Sequence, residues 1–77
     1  MDKKYRGYIN HVCKIIKERA LQSKLEEEKA KNLFNSGRLM AYNEVISILQ
    51  QEAEGMLMDL KELKLDDINP DIDLVDG

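Results

Sequence analysis

Apolar residues between positions 34 and 49 recur at intervals that place them on one side of a helix. They are Phe34, Ala41, Tyr42, Val45, Ile46, Ile48 and Leu49. Spacings of three, four and seven residues are typical of an amphipathic α-helix, whereas a half-buried strand would require strict alternation. An apolar side this wide has to be covered by other polypeptide, and this requirement constrains the fold of the whole chain.

A chain of 77 residues has a small interior from which to gain stability. Below about 80 residues a single core seldom supplies more than ~3–5 kcal/mol, so small proteins often add disulfides, a metal ion or a second subunit. Cys13 is the single cysteine and His11 the single histidine. An internal disulfide is therefore excluded and the ligands for a metal site are lacking. We expect no metal or cofactor, and instead self-association into a dimer or larger helical bundle.

The first helix is predicted from the strong helix formers that fill residues 3–34, where Gly7 is the single glycine and proline is absent. Its first half is amphipathic. The apolar residues that fall on one side are Tyr5, Tyr8, Ile9, Val12, Ile15, Ile16 and Ala20. From Gln22 to Asn32 this pattern thins among charged residues, which indicates a solvated stretch of the same helix.

Two positions for the bend between the helices remain open. The run Asn-Ser-Gly at 35–37 favours a turn, and three residues are enough to join antiparallel helices. Alternatively, Ser23 and Glu26 have the spacing of a capping box, in which case the break lies near Ser23 and Gly37 lies inside the second helix. Residues 19–26 contain no helix breaker, which favours the first position. The helices would then have about 32 and 17 residues, and so unequal lengths.

The second helix is predicted to end at Gly55, since glycine suits the left-handed residue that terminates helices, although a helix continuing through Gly55 is an alternative. Asp59 and Glu62 form an acidic capping pair for a short third helix. That helix would carry Leu60, Leu63 and Leu65. We thus predict an all-α fold: an antiparallel helical hairpin with a short third helix over residues 1–65, and an acidic irregular tail over 66–77.

The sequence offers no recognisable catalytic chemistry. Residues with side-chain oxygen atoms alternate at positions 67, 69, 71 and 73, as the ligands of a calcium-binding loop do. However, Pro70 interrupts this pattern, and Ile72 stands where a calcium loop needs glycine. His11 and Cys13 are two positions apart on a helix and cannot share a metal. The serines lack the glycine-rich surroundings of a nucleophile, and His11 would be the single imidazole base. We therefore expect a protein that is not an enzyme, with no catalytic residue and no metal ligand.

Charge is unevenly distributed along the chain. Residues 1–24 hold seven Lys or Arg and two acidic residues, whereas residues 25–77 hold five Lys or Arg and thirteen acidic residues. One arc of the first helix is basic, through Lys3, Arg6, Lys14, Lys17 and Lys24. A basic stripe can follow a phosphate backbone, which makes nucleic acid a possible partner. A solvated polar helix side is the simpler interpretation, because the protein as a whole is acidic.

The leading hypothesis is a non-enzymatic helical protein-interaction module, of adaptor or inhibitor type, that binds itself and another protein. The alternative is a nucleic-acid-binding module that uses the basic arc. The residues expected at the apolar interface are Tyr5, Ile9, Val12, Ile16, Phe34, Ala41, Val45, Ile48 and Leu49. No stretch is apolar enough to span a membrane, and the amino terminus is charged where a signal peptide would be apolar. We accordingly expect a cytoplasmic protein.

Overall fold

Two long helices form an antiparallel hairpin in a computed structural model that describes residues 3–75. α1 is Lys3–Lys29 and α2 is Leu33–Gly55. The chain then continues through a series of turns to a single turn of π-helix at Asp71–Val75. Within residues 3–75 there is no strand. The predicted all-α hairpin with a short third helix is therefore confirmed, as is the end of α2 at Gly55. The predicted reason is wrong, because the left-handed residue after α2 is Leu57 and not Gly55.

The bend between α1 and α2 lies at neither of the two predicted positions. Asn32 is the N-cap of α2, and its Oδ1 accepts a hydrogen bond from the backbone N–H of Asn35 at 2.8 Å. The Asn35 Nδ2 group donates back to the carbonyl of Ala30, also at 2.8 Å. These two amides satisfy backbone groups that the helix ends leave without partners. Ser23 accordingly lies inside α1 and Gly37 inside α2.

The two helices are closer in length than the sequence indicated. α1 has 27 residues and α2 has 23. At 1.5 Å per residue they measure about 40 and 34 Å, so the predicted difference between 32 and 17 residues is wrong. The error follows from placing the bend too late in the chain. Unequal helix length is consequently not a reason for apolar surface to remain uncovered.

The core lies between the two helices and the chain that follows them. Its buried apolar residues are Cys13, Ala20, Leu39, Ile46, Ala53, Leu63, Leu65, Ile68 and Leu74. Both residues that α1 contributes to this list are small. Small side chains allow helix backbones to approach, and the remaining space is filled by leucines that arrive late in the sequence. Residues 56–75, which we call the C-terminal segment, are therefore part of the core.

The short third helix is not where the sequence predicted it. Residues 60–64 form turns, which Asp59 begins by accepting hydrogen bonds from the backbone N–H groups of Lys61 and Glu62, each at 3.0 Å. Lys64 then takes a left-handed conformation, with φ of 61°, which no α-helix can continue through. The π-helical turn lies instead inside residues 66–77, which were predicted to be irregular. Positions 1–2 and 76–77 of the two predicted regions lie outside the described residues.

Side chains from both helices hold the C-terminal segment against one side of the hairpin. From α1, Lys17 Nζ donates to the carbonyl of Lys64 and to Oδ1 of Asp67, each at 2.9 Å. From α2, Gln50 donates to the carbonyls of Leu65 and Ile68 at 3.0 and 2.8 Å. Asn43 adds a bond of 2.9 Å to the carbonyl of residue 70. This side of the hairpin is thus covered by the protein's own chain.

Candidate protein-interaction surface

The opposite side of the hairpin carries apolar residues that remain at least partly exposed to solvent. Each helix also has a row of buried residues that faces the core, with Cys13 in α1 and Ile46 in α2. The partly exposed apolar residues lie about 100° around the helix axis from that row, as Val12 does from Cys13 and Val45 from Ile46. Antiparallel helices are related by an approximate twofold axis normal to their plane, so this shared offset puts both sets on the same side. We call this side the open face. Its residues are Tyr5, Val12 and Ile16 from α1 and Phe34, Ala41, Val45 and Ile48 from α2.

The nine residues predicted to form an apolar interface divide into two groups. Five are exposed: Tyr5, Phe34, Ala41, Val45 and Ile48. The other four, Ile9, Val12, Ile16 and Leu49, are half-buried. Phe34 is 76% exposed and Ile48 50%, which is high for large apolar side chains in a folded protein. The stripe that runs from position 34 to 49 therefore spans two sides of α2, since Ile46 is fully buried while Phe34 faces solvent.

A shallow apolar groove deepens the open face where α1 meets the end of α2. Its volume is about 270 Å³, and both helices and the C-terminal segment line it. The helices contribute Ile9, Cys13, Ile48 and Leu49, and the C-terminal segment contributes Met56, Met58, Leu63 and Leu65. The groove exists because Ala53 and Cys13 are small where the two helices approach each other. A concave apolar lining with few polar groups suits an apolar side chain of a partner rather than a charged ligand.

Charged groups border the open face at the other end of the hairpin. Arg38 forms an ion pair with Glu26, which joins α2 to α1 next to the bend. The Arg38 guanidinium also lies 5.8 Å from the centre of the Tyr42 ring, within the range of a cation–π interaction. This arrangement holds Arg38 at the edge of the apolar surface, where several of its five N–H donors can reach a further acceptor.

The five residues of the predicted basic arc do not form one free surface. Lys17 is held by Lys64 and Asp67, and Lys24 lies 3.7 Å from Glu28. Lys3 and Lys14 are exposed, and so is Arg6. Two of the five predicted phosphate ligands therefore already have acidic partners within the chain.

The ion pair between Lys17 and Asp67 connects the middle of α1 to the C-terminal segment. The hydrogen bond from Lys17 is the main reason that the pKa of Asp67 lies below its usual value. The Lys17 side chain is largely buried and the Asp67 carboxylate is mostly exposed. The contact therefore acts mainly by positioning the C-terminal segment, since water screens an exposed carboxylate strongly.

Groups with the capacity for chemistry are separated in the structure. Cys13 is a buried free thiol, and burial raises the pKa of this thiol, which disfavours the reactive thiolate. His11 is exposed. Asn10 Oδ1 is buried without a hydrogen-bond partner, next to the turns that follow α2. Among residues 3–75, no three His, Cys, Asp or Glu side chains are grouped to hold a metal ion.

A wider concavity of about 500 Å³ separates α2 from the C-terminal segment. It is lined by polar groups that include Gln50, Glu54, Asp66, Asp67 and Asp73. Three of these side chains are already engaged. Gln50 donates to two carbonyls of the segment, Asp67 binds Lys17, and Asp73 accepts from the backbone N–H of Asn69 at 2.8 Å.

Two exposed apolar residues that are not among the nine predicted interface residues extend this surface. Tyr8 is 67% exposed and Met56 is 71% exposed. Met56 is the C-cap of α2 and lies outside the helix, so helical periodicity gave no signal for it. Neither helix of the described chain is long and apolar enough to cross a membrane. Comparisons with protein-family models, curated proteins and solved structures give no match to this chain.

Proposed function

We propose that this protein is a small, non-enzymatic helical interaction module that self-associates through the open face. The observation that carries the proposal is the difference in solvent exposure between the two sides of the hairpin. The C-terminal segment buries one side, whereas Phe34, Val45 and Ile48 remain in contact with solvent on the other. Contiguous apolar surface of this kind is unusual in monomers and marks interaction sites.

The dimensions of the protein favour a second copy as the first partner. The Cα atoms span 42 × 21 × 17 Å, so one long side presents about 700–900 Å². A stable interface of ordinary size removes about 800 Å² from each partner. A second copy that covered the whole of this side would therefore bury about the area of an ordinary interface. Each Å² of apolar surface removed from water contributes about 25 cal/mol, which matters for a core this small.

The assembled protein would act by presenting its remaining surface to another protein, as an adaptor or an inhibitor does. The exposed aromatic rings of Tyr5 and Tyr8 near the start of α1 support this role, because tyrosine is enriched in protein interfaces. We place the protein in the cytoplasm, where the buried free thiol of Cys13 would stay reduced. The proposal does not extend to nucleic acid, since Lys17 and Lys24 already have acidic partners.

Sedimentation equilibrium tests self-association directly. The wild-type chain should have a mass of at least twice 8.9 kDa, decreasing towards 8.9 kDa on dilution. Val45→Glu should restore the monomer mass, because it places a charge on the open face. Met40→Glu is the matched control, since Met40 is also exposed but lies about 140° from Val45 around α2. A wild-type mass of 8.9 kDa at every concentration would refute the proposal.

A further inference from the structure

We propose that two copies associate through an antiparallel pairing of α2 with α2, about a twofold axis beside Val45. This inference rests on the proposed function and specifies the partner and its register. It depends on one row of α2 residues spaced seven apart, which we call the α2 seam. The row consists of Phe34, Ala41, Ile48 and Gly55.

The α2 seam is exposed over its full length. All four residues are solvent-exposed, and a Cβ atom added at Gly55 would meet nothing within 4 Å. Positions seven apart on a helix drift by only about 20°, so the row forms a continuous line along α2. Helices packed along such a line cross at about 20° and remain in contact over many turns.

Side-chain size alternates along this line, from large Phe34 to small Ala41, then from large Ile48 to Gly55, which has no side chain. Reversal of the row by an antiparallel copy sets Phe34 opposite Gly55 and Ala41 opposite Ile48. Each large residue then meets a small one at all four levels. A parallel copy would instead set Phe34 against Phe34 and Gly55 against Gly55, with crowding at one level and a void at another. Close packing of interfaces therefore favours the antiparallel register.

Charges on one flank of the seam fit the same register. In this register Arg38 is level with Gln51 of the copy, and Glu52 of the copy lies one residue further along, about 1.5 Å, within reach of the long Arg38 side chain. Within the described chain Glu52 takes part in no ion pair, and Arg38 has donors beyond those used by Glu26.

Disulfide crosslinking of single-cysteine variants tests the register, with Cys13→Ala as the background. Helix axes packed 8–10 Å apart bring the Cα atoms of facing residues to about 4–6 Å, within the range of a disulfide. Val45→Cys should therefore form a disulfide dimer under mild oxidation. Phe34→Cys is the matched control on the same face, and should not crosslink to itself because its two copies lie about 32 Å apart. A mixture of Ala41→Cys and Ile48→Cys chains should give the heterodimer.

A size exchange provides a second test that leaves the monomer core untouched, since Ala41 and Ile48 are both exposed. Ala41→Ile alone should reduce the dimer fraction, because two isoleucines then meet at the two levels where Ala41 faces Ile48. The double variant Ala41→Ile, Ile48→Ala should recover the wild-type dimer fraction. A double variant no better than the single one would contradict the size pairing.

The outcomes separate this inference from the proposed function. If the wild type is a dimer but Phe34→Cys crosslinks as readily as Val45→Cys, the antiparallel register is wrong and self-association still stands. The same conclusion follows if the wild type is a dimer but the Val45→Cys variant forms no disulfide. A wild-type monomer would refute self-association itself.

Discussion

Removing one buried side chain near the end of the chain should destabilise the whole protein. Leu74 is fully buried, although it lies within an acidic stretch that resembles an unstructured tail. Ile72 lies two residues earlier in the same helical turn and is 61% exposed. The pair Leu74→Ala and Ile72→Ala therefore compares two similar truncations that differ mainly in burial.

The expected loss for Leu74→Ala follows from its complete burial. Leucine loses three carbons on truncation to alanine, and each buried CH₂ contributes about 0.8 kcal/mol to stability. The lost burial alone therefore costs ~2.4 kcal/mol, without the cost of the cavity. The unfilled space adds to this, so we expect about 2–4 kcal/mol. Since a core of this size supplies only about 3–5 kcal/mol, Leu74→Ala should leave a marginally folded protein. Ile72→Ala should change the free energy of unfolding by about 0.5 kcal/mol or less.

Urea unfolding followed by far-ultraviolet circular dichroism measures both variants. All samples need the same protein concentration, because self-association would stabilise the folded state by mass action. If Leu74→Ala unfolds at the same urea concentration as Ile72→Ala, the C-terminal segment is not part of the core. In that case the covered side of the hairpin would be as open as the other, and the distinction on which the proposed interface rests would be lost.

Three further predictions follow from particular residues. Leu57 has a φ of 58° and is 93% exposed, so Leu57→Gly should raise the free energy of unfolding by about 1 kcal/mol in urea melts, whereas Met56→Gly, which removes no left-handed strain, should lower it. Because Lys17 lowers the pKa of Asp67 in the folded protein, the carboxylate stabilises the fold above its unfolded pKa and loses this effect as pH falls through the folded value. The difference in stability between wild type and Asp67→Asn should thus be present at neutral pH and disappear in acid; a difference that persists in acid would contradict the ion pair. Cys13 should react with a thiol reagent slowly in the native protein and rapidly in denaturant, and equal rates would show that its burial is wrong.

Local regularities made the helices predictable from the sequence. Uninterrupted helix formers and apolar spacing indicated both helices, and Gly55 marked the end of α2. The bend was missed because it depends on two asparagine amides that bond to backbone groups across it, and Asn32 looked like one polar residue among many. The run at 35–37, which has the composition of a turn, is instead accommodated in the first turns of α2.

Contacts between distant parts of the chain could not be read from local pattern. The pairing of Lys17 with Asp67 joins residues fifty positions apart. Nothing in the basic arc indicated which lysine would be engaged. The apolar stripe was recognised, but its division into a buried row and an exposed row required knowing that the C-terminal segment covers one side alone. Ile46 and Val45 are neighbours in sequence and have opposite environments for this reason.

The tight connection between α1 and α2 has a consequence for the order in which the protein folds. Its hydrogen bonds join residues only three to five positions apart, so the two helices can find each other after closing a very short loop. Docking of Asp67 on Lys17 must close a loop of fifty residues, which costs more chain entropy and is slower. The C-terminal segment is thus the last part of the described chain to reach its native position, and amide protons in residues 60–75 should exchange before those in the middle of α1 and α2.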